Sequence, residues 1–522
     1  MDPFSLTAGA ASMADLCLKS GKFLVGKYRS YQCAEQDILE LILRVEHHWL
    51  KTESQVKLLR SVRSDLGDQL QVHQNNVLRV LYIKVNETIL LIDQVIGDNK
   101  DDGPSMQSIL TKKGQYRKAK FALKIKECLH KTLDDLKTWQ DMLDPSWFLM
   151  ARIPSTVIDQ QLAVSRPYSL SSATTIVGIR DELHTTNNEK TESIFVSADR
   201  LSAKRNLIPL SFSTMSNDQQ TLDPVIVDSF LCNPLTDTAA VTKDIRNLAR
   251  ILSKIDPLVF GVLSCRGVIK YIDTDPAQSR FEFIFSIPPS LQNPASLRGI
   301  LVHSRDDYSL NDRLDLAKRI ASSVLFVHNA GFVHKNIRPE TILVFAGKAS
   351  PLQHPFLVGF EKFRPSESAT YRIGDTRWDR NLYQHPKRQG LTVEEYFKMQ
   401  HDIYSLGVCL LEIGLWTSFV MWDGDNNIPS PNAVLGVNDL LKLKDDRKRA
   451  SEVKQILTRT AEERLPIRMG KKYAEIVVAC LTCLDKGSSA LGDETEFLDE
   501  DGIVVAVRYI ERILMRIKEI SI

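Results

Sequence analysis

The feature that most constrains this 522-residue chain is a set of apolar stripes with helical spacing in residues 1–165. Apolar side chains recur there every three or four positions in three separate segments. The stripes are Ile38, Leu41, Val45 and Trp49; Leu78, Leu81, Val85, Ile89, Ile92 and Ile96; and Phe121, Ile125, Leu129, Leu133, Leu136, Trp139 and Leu143. This spacing places each set on one face of a helix, which must be covered by another helix. We therefore predict that residues 1–165 form an all-α helical bundle.

The pattern changes after the bundle. Residues 166–205 are rich in Ser, Thr and Asn and show little periodicity, which predicts a linker. Residues 206–522 begin with short apolar runs typical of strands, PVIVDSF and FEFIFSI, and continue with long helical patterns such as SLNDRLDLAKRIASSVLFVHNA. Strands followed by helices predict a second, α+β domain with a small sheet-rich lobe and a larger helical lobe.

Composition limits the cellular compartments and the classes of partner that we expect for this protein. A formal net charge of +2 gives no basis for a nucleic-acid partner. The eight cysteines lack the spacing of a disulfide framework, which indicates reduced thiols in a cytosolic protein. Apolar neighbours around Cys480 and Cys483 favour a buried helix turn over a zinc or redox site. No apolar run reaches 18 residues and the first residues lack a basic flank, so we expect neither a spanning helix nor secretion.

Four motifs follow one another in the second half of the chain. They are HKNIRPETIL at residues 334–343, FLVGFEKF at residues 356–363, YQHP at residues 383–386 and DIYSLGVCLLEIGLW at residues 402–416. In this order they resemble the catalytic loop, the metal-binding segment, the end of the activation segment and the central helix of a protein kinase. The resemblance covers the chain from about residue 206 onward and implies the two-lobed protein-kinase-like fold.

The residues that carry kinase chemistry are replaced at the matching positions. Asn336 stands where the base should be, Thr341 and Gly359 stand at the metal-binding positions, and Asp228 stands at the nucleotide-binding lysine. The degenerate positions are His334, Lys335, Asn336, Arg338, Thr341, Gly359, Phe360, Glu361 and Asp228. An amide has no useful basicity and glycine offers no oxygen ligand, so we predict a pseudokinase without catalytic, cofactor or metal-binding residues.

Other features of the kinase-like half complete this interpretation. No glycine occurs between Gly178 and Gly261, so a glycine-rich loop that cradles phosphates is missing. His334 is interpreted as a packing residue, and Asp402 as the acid that braces the backbone of the loop. Binding of ATP without turnover stays open.

The segment RPSESATYR at residues 364–372 falls in the position of the activation segment. Its hydroxyl groups are candidate phosphorylation sites, and the flanking arginines could receive a phosphate. The candidates are Ser366, Ser368, Thr370 and Tyr371. Ordinary loop residues are the alternative.

The opening residues MDPFSLTAGAASMADLCLKSGKFL and the later LKTWQDMLDPSWFLMARI resemble fungal HeLo and HeLo-like domains of the prion-inhibition and propagation type. This resemblance covers residues 1–165. It implies a helical bundle that signals or kills by attacking membranes through its first helix, after an attached control module is triggered. A killer bundle joined to a pseudokinase is also similar to the mixed-lineage-kinase-like effector of animal necroptosis.

The first segment has apolar side chains that could contact a membrane. They are Phe4, Leu6, Leu16, Leu18 and Phe23. Asp15, Lys19 and Lys22 disfavour a spanning helix, so interfacial insertion is the expected mode. A plain core helix of the bundle is the alternative.

These observations lead to one main hypothesis and two alternatives. The main hypothesis is a signalling protein of programmed cell death, similar to heterokaryon-incompatibility proteins, whose helical effector bundle is regulated by a catalytically dead kinase-like domain. It implies protein partners or self-association through the bundle, a membrane surface, and a cytoplasmic location with recruitment to the plasma membrane on activation. The alternatives are an atypical active Ser/Thr kinase that binds ATP and uses Glu361 or another acid for the metal, and a non-catalytic scaffold.

Overall fold

The computed structural model shows two compact units, Met1–Val177 and Gly178–Ile522. It describes residues 12–29, 36–97, 112–150, 153, 155–165, 177–180, 193–231, 238–271, 280–303, 308–346, 352, 354–360, 364–365, 375, 377–390, 393–422, 428–485 and 503–521. The predicted fold class is confirmed: the first unit is helical, and the second is a mixed sheet followed by helices. The predicted domain boundaries at 1–165, 166–205 and 206–522 stay predictions.

The described residues of the first unit form a helical bundle. Its helices are α1 Met13–Arg29, α2 Gln36–Val62, α3 Asp68–Gly97, α4 Lys112–Leu149 and α5 Thr156–Ser165. The side chains of the three apolar stripes line the core. Ile96 and Phe121 are left out of this statement, because their side chains lie outside the described part of the structure. Trp139 is fully buried, and its indole nitrogen donates a hydrogen bond to the carbonyl oxygen of Val77 at 2.9 Å. Helical spacing therefore predicted this core correctly.

Helices α1 and α2 approach each other closely at Gly21. A Cβ atom at this position would lie 1.7 Å from Cη2 of Trp49, which is buried. The indole ring therefore lies directly against the backbone of α1. Glycine weakens an isolated helix by about 1 kcal/mol relative to alanine, and here that loss is offset by the close packing of a large aromatic ring.

The second unit opens with a six-stranded sheet in the order β1-β5-β6-β4-β3-β2. Its strands are β1 Phe195–Val196, β2 Asn206–Leu207, β3 Thr214–Asn217, β4 Pro224–Leu231, β5 Cys265–Tyr271 and β6 Arg280–Ser286. Between β4 and β5 lie α6 Thr238–Ser253, which packs against β5, and the short α7 Pro257–Phe260. The two strands predicted in this region, PVIVDSF and FEFIFSI, are confirmed.

Strand β1 lies inside the segment predicted as a linker. It pairs in parallel with Val268 and Ile269 of β5. Gly267 permits this pairing, because a Cβ atom there would lie 2.9 Å from Cγ1 of Val196. The sheet therefore begins earlier than the composition predicted, since two residues are too few to show periodicity.

The rest of the second unit is mainly helical. Its elements are β7 Gln292–Ser296, α8 Leu297–His303, α9 Leu310–Asn329, β8 Phe332–Val333, β9 Ile342–Ala346, β10 His354–Leu357, β11 Arg364–Pro365, α10 Trp378–Asn381, α11 Met399–Leu415, β12 Val420–Trp422, β13 Pro429–Pro431, α12 Asp446–Met469, α13 Lys471–Leu481, α14 Ile503–Tyr509 and α15 Met515–Lys518. Helix α11 is buried over residues 399–414 and packs against α9, α12 and α13. It is the central element of this lobe.

Two local features of the second unit lie at helix ends, and the second agrees with the predicted burial of Cys480 and Cys483. Ser309 caps α9, since its side chain accepts a hydrogen bond from the backbone nitrogen of Asp312 at 3.1 Å. Cys480 and Cys483 are buried at the end of α13, and burial raises the pKa of the Cys483 thiol to about 12. Within the described part of the chain, no helix is both long and apolar enough to cross a membrane.

The packing of α1 on α2 can be tested with two glycines of the same helix. We expect Gly21→Ala to lower the free energy of unfolding by about 1–3 kcal/mol, because the added methyl group collides with Trp49. Gly26 is the matched control, because its Cβ position has no atom within 4 Å. Gly26→Ala should leave stability unchanged or raise it through helix propensity. Urea unfolding followed by far-UV circular dichroism measures both, and equal effects would contradict the close approach.

Candidate functional site

The kinase-like motifs meet in the second unit at the loop of residues 334–341, between β8 and β9. Asp402, in the first turn of α11, is buried beneath this loop. Its carboxylate accepts hydrogen bonds from the backbone nitrogens of His334 at 2.7 Å and Lys335 at 2.8 Å. Lys335 has a φ of 64°, a left-handed conformation that costs about 1–2 kcal/mol for a residue with a side chain. The two charge-assisted bonds hold the loop in this conformation.

Asn336 occupies the position of the catalytic base. It is buried, and its side-chain nitrogen donates a hydrogen bond to the carbonyl oxygen of Gly359 at 3.3 Å. The backbone carbonyl oxygen of Asn336 accepts a hydrogen bond from the hydroxyl group of Thr341 at 2.7 Å. The side chain therefore links two backbone segments, and an amide in this role has no basic group to offer a substrate hydroxyl.

Gly359 and Thr341 occupy the two metal-binding positions, and they fit against each other. Gly359 has a φ of 81°. A Cβ atom on it would lie 2.4 Å from Cγ2 of Thr341, closer than atoms can approach without a shift. The Thr341 hydroxyl also donates to the carbonyl oxygen of Arg338 at 3.0 Å, which fixes its rotamer. The Thr341 methyl group thus fills the space where a metal-binding side chain at position 359 would begin.

Asp228 on β4 occupies the position of the nucleotide-binding lysine. It is buried, and its Oδ2 accepts a hydrogen bond from the backbone nitrogen of Gly359 at 2.7 Å. Its Oδ1 accepts a hydrogen bond from the hydroxyl group of Ser213. The carboxylate is therefore bonded on both oxygens, and it connects the sheet to the segment that follows β10.

His334 and Phe360 form a buried aromatic contact beside the loop. Their ring centroids lie 4.8 Å apart, and Phe360 also lies 6.3 Å from the ring of Phe285 on β6. Burial lowers the pKa of His334 to about 4, although the Asp402 carboxylate opposes this shift. His334 is therefore neutral at pH 7 and packs between the two lobes.

Arg338 replaces the lysine of the loop. It is buried, and its guanidinium group lies over the ring of Phe212, 4.3 Å from the ring centroid. Phe212 belongs to the turn of residues 208–213, which joins β2 to β3. This is the place in the chain where the resemblance implies a glycine-rich loop. The guanidinium group of Arg338 thus contacts the aromatic ring of Phe212 rather than a phosphate group.

A buried ionic cluster behind the loop was missed by the sequence interpretation. Arg298 on α8 is fully buried and donates to Glu340 at 3.1 Å and to Glu412 of α11 at 2.7 Å. Burial acts to lower the pKa of Arg298, but the two carboxylates outweigh it and raise the pKa well above its usual value. Tyr383 donates to the other oxygen of Glu412 at 2.7 Å. The cluster ties α8, α11 and the YQHP segment to the loop.

Several predicted residues lie elsewhere. Leu18 is buried in the core of the first unit, Leu16 is partly buried, and Phe23 is 55% exposed, with the Lys27 ammonium 4.9 Å from its ring centroid. The positions outside the described residues are Phe4, Leu6, Glu361, Ser366, Ser368, Thr370 and Tyr371. Membrane contact and phosphorylation at these positions stay predictions.

The described residues of the cleft do not fit a magnesium–nucleotide complex. Magnesium requires hard oxygen ligands in an octahedral arrangement. Gly359 has no side chain, and the Thr341 hydroxyl and the Asp228 carboxylate are already bonded within the protein. Among the described residues, no group of three or more His, Cys, Asp or Glu side chains is placed to hold a metal ion.

The contact between Gly359 and Thr341 can be tested against a glycine of similar backbone conformation. Gly331 has a φ of 82°, and its Cβ position has no atom within 4 Å. Both Gly→Ala changes cost backbone strain, but we expect Gly359→Ala to cost about 1–3 kcal/mol more because of overpacking. Thr341→Ser removes the methyl group and keeps the hydroxyl group, so it should shrink this difference. Thermal unfolding of Gly331→Ala, Gly359→Ala, Thr341→Ser and the double variant Gly359→Ala/Thr341→Ser measures the coupling, and identical costs for the two glycines would contradict the contact.

Comparisons with known proteins give one partial match. No family model matches the chain. A stretch of 105 residues is 32% identical to a serine/threonine-protein kinase-like protein of Arabidopsis thaliana. The match covers 19% of this chain and spans only 27% of the length of that relative. This similarity supports a kinase-like region in the chain, in agreement with the fold of its second unit.

Proposed function

We propose that the second unit is a pseudokinase that controls an effector activity of the helical first unit. The observation that carries the proposal is the 2.7 Å hydrogen bond from the backbone nitrogen of Gly359 to Asp228. The kinase resemblance places a metal-binding aspartate and a nucleotide-binding lysine at these two positions. Here a carboxylate stands where the lysine should attract phosphate, and Gly359 has no side chain to hold a metal.

The expected loss of rate is large. Removing a positioned general base alone forfeits about 10²–10⁴-fold. Removing the metal ligands also removes the charge stabilisation that supplies most of the catalysis of phosphoryl transfer. The terms are not additive, but each is severe on its own. A role in binding and regulation is therefore the best-supported role for this unit.

The effector half of the proposal is supported by the resemblance of residues 1–165 to HeLo and HeLo-like domains. Phe23 adds a specific feature, because it exposes a large aromatic ring on α1 beside Lys27. Aromatic rings next to cations suit the interface of anionic membranes. We propose a cytoplasmic protein of cell-death signalling that is recruited to the plasma membrane on activation, with protein partners or self-association through the bundle.

The loss of phosphotransfer can be tested on the full chain. A ligand at 100 times its dissociation constant stabilises a protein by about 2.7 kcal/mol, so thermal shifts report binding sensitively. We expect no magnesium-dependent shift with ATP and no transfer of labelled γ-phosphate. Asp228→Asn, which removes the charge and keeps the shape, is the control. Transfer by the unaltered chain that disappears in this variant would favour the alternative of an atypical active kinase.

The effector activity can be tested on anionic liposomes. We expect the compact unit Met1–Val177 to release an encapsulated dye, whereas the full chain stays inactive until it is triggered. Phe23→Ala should reduce the release several-fold. Leu90→Ala is the matched control, since Leu90 on α3 is 63% exposed and Phe23 is 55% exposed. If neither the unit nor the full chain releases the dye, the result contradicts the effector hypothesis and favours the non-catalytic scaffold.

A further inference from the structure

The 208–213 turn reaches from the sheet to the loop that carries Arg338. The Ser211 hydroxyl donates a hydrogen bond to the carbonyl oxygen of Glu340 at 3.1 Å, although 129 positions separate them in the chain. The Ser296 hydroxyl, at the end of β7, donates to the carbonyl oxygen of Pro209 at 2.7 Å. The turn is therefore bonded on two sides to elements outside its own sheet.

An aromatic side chain strengthens this attachment. The ring centroid of Phe212 lies 4.3 Å from Cζ of Arg338 and 5.9 Å from Cζ of Arg380 on α10. Phe212 is 41% exposed, whereas Arg338 beneath its ring is buried. Cation–π contacts of this kind are attractive, most of all where the cation is buried as Arg338 is.

The inner side of the turn is fixed as well. Ser213 is fully buried, and its hydroxyl group donates to Asp228. Asp228 in turn accepts the backbone hydrogen bond of Gly359. One chain of contacts thus runs from the turn, through β4, to the segment that follows β10.

We propose that the 208–213 turn is a latch that occupies the cleft from within and holds the sheet closed on the 334–341 loop without any bound ligand. Four groups at this cleft are engaged by the protein itself: Asp228, Arg338, the carbonyl oxygen of Glu340 and the backbone nitrogen of Gly359. Opening of the latch would release together the three that the turn itself contacts: Asp228, Arg338 and the carbonyl oxygen of Glu340. The inference goes beyond the proposed function, because it concerns closure of the cleft and not the loss of phosphotransfer.

Hydrogen–deuterium exchange of the full chain tests the latch directly. The variant Ser211→Ala/Phe212→Ala removes two hydrogen bonds of the Ser211 hydroxyl, to the carbonyl oxygen of Glu340 and from the backbone nitrogen of Ser213, together with both cation–π contacts. We expect amide exchange in residues 208–217 and 338–343 to become about tenfold faster, while the helices of the second unit keep their protection. Leu207→Ala is the matched control, since Leu207 is 78% exposed on the same hairpin. It should exchange like the unaltered protein.

A conservative variant separates the latch from a general loss of stability. Phe212→Tyr keeps the ring over Arg338 and should restore slow exchange when it is compared with Phe212→Ala. Unchanged exchange of residues 338–343 in the double variant would show that the turn is an ordinary surface hairpin. Faster exchange throughout α12 and α13 would show that it is part of a single cooperative core. Either result would overturn the proposal, whether or not the chain proves able to transfer phosphate.

Discussion

The buried carboxylate of Asp228 determines the form of the cleft. A buried charge costs several kcal/mol unless hydrogen bonds satisfy it. Two donors do so here, the backbone nitrogen of Gly359 and the hydroxyl group of Ser213. The first fixes the segment after β10, and the second fixes the 208–213 turn. Removal of one donor would take away one of these hydrogen bonds, at a cost of about 1.5–3 kcal/mol for a bond to a charged group.

A second group of acids supports the fold around this cleft. Asp402 and Glu412 both lie on α11, which is buried over residues 399–414. Asp402 binds the backbone of the loop, while Glu412 binds Arg298 and the backbone nitrogen of Phe419. The buried central helix can carry these charges because each has several donors. The frame of a kinase-like lobe is therefore present, whereas the matching positions for chemistry form contacts of another kind. Stability and catalysis are separable properties of such a fold.

The parts of this structure that could be predicted from the sequence depend on local patterns. The helical stripes of the first unit and the strands PVIVDSF and FEFIFSI are signalled within a few residues of the element itself. The Arg298 cluster could not be predicted, because its two carboxylates lie 42 and 114 positions away along the chain. Single-sequence patterns do not carry pairings of that range.

The contacts inside the cleft were also beyond what the sequence patterns could predict. The missing glycines predicted the loss of a phosphate cradle, but they did not predict which residues would fill the space. Pairs of degenerate positions contact each other: Asp228 with Gly359, Gly359 with Thr341, and Asn336 with Gly359. Under the proposed loss of phosphotransfer, no single substitution at these positions would therefore restore a kinase site. An aspartate at position 359 would meet the Thr341 methyl group at its first side-chain atom and would lie beside the Asp228 carboxylate. The replaced residues form an interlocked set, and recovery of chemistry would require several of them to change together.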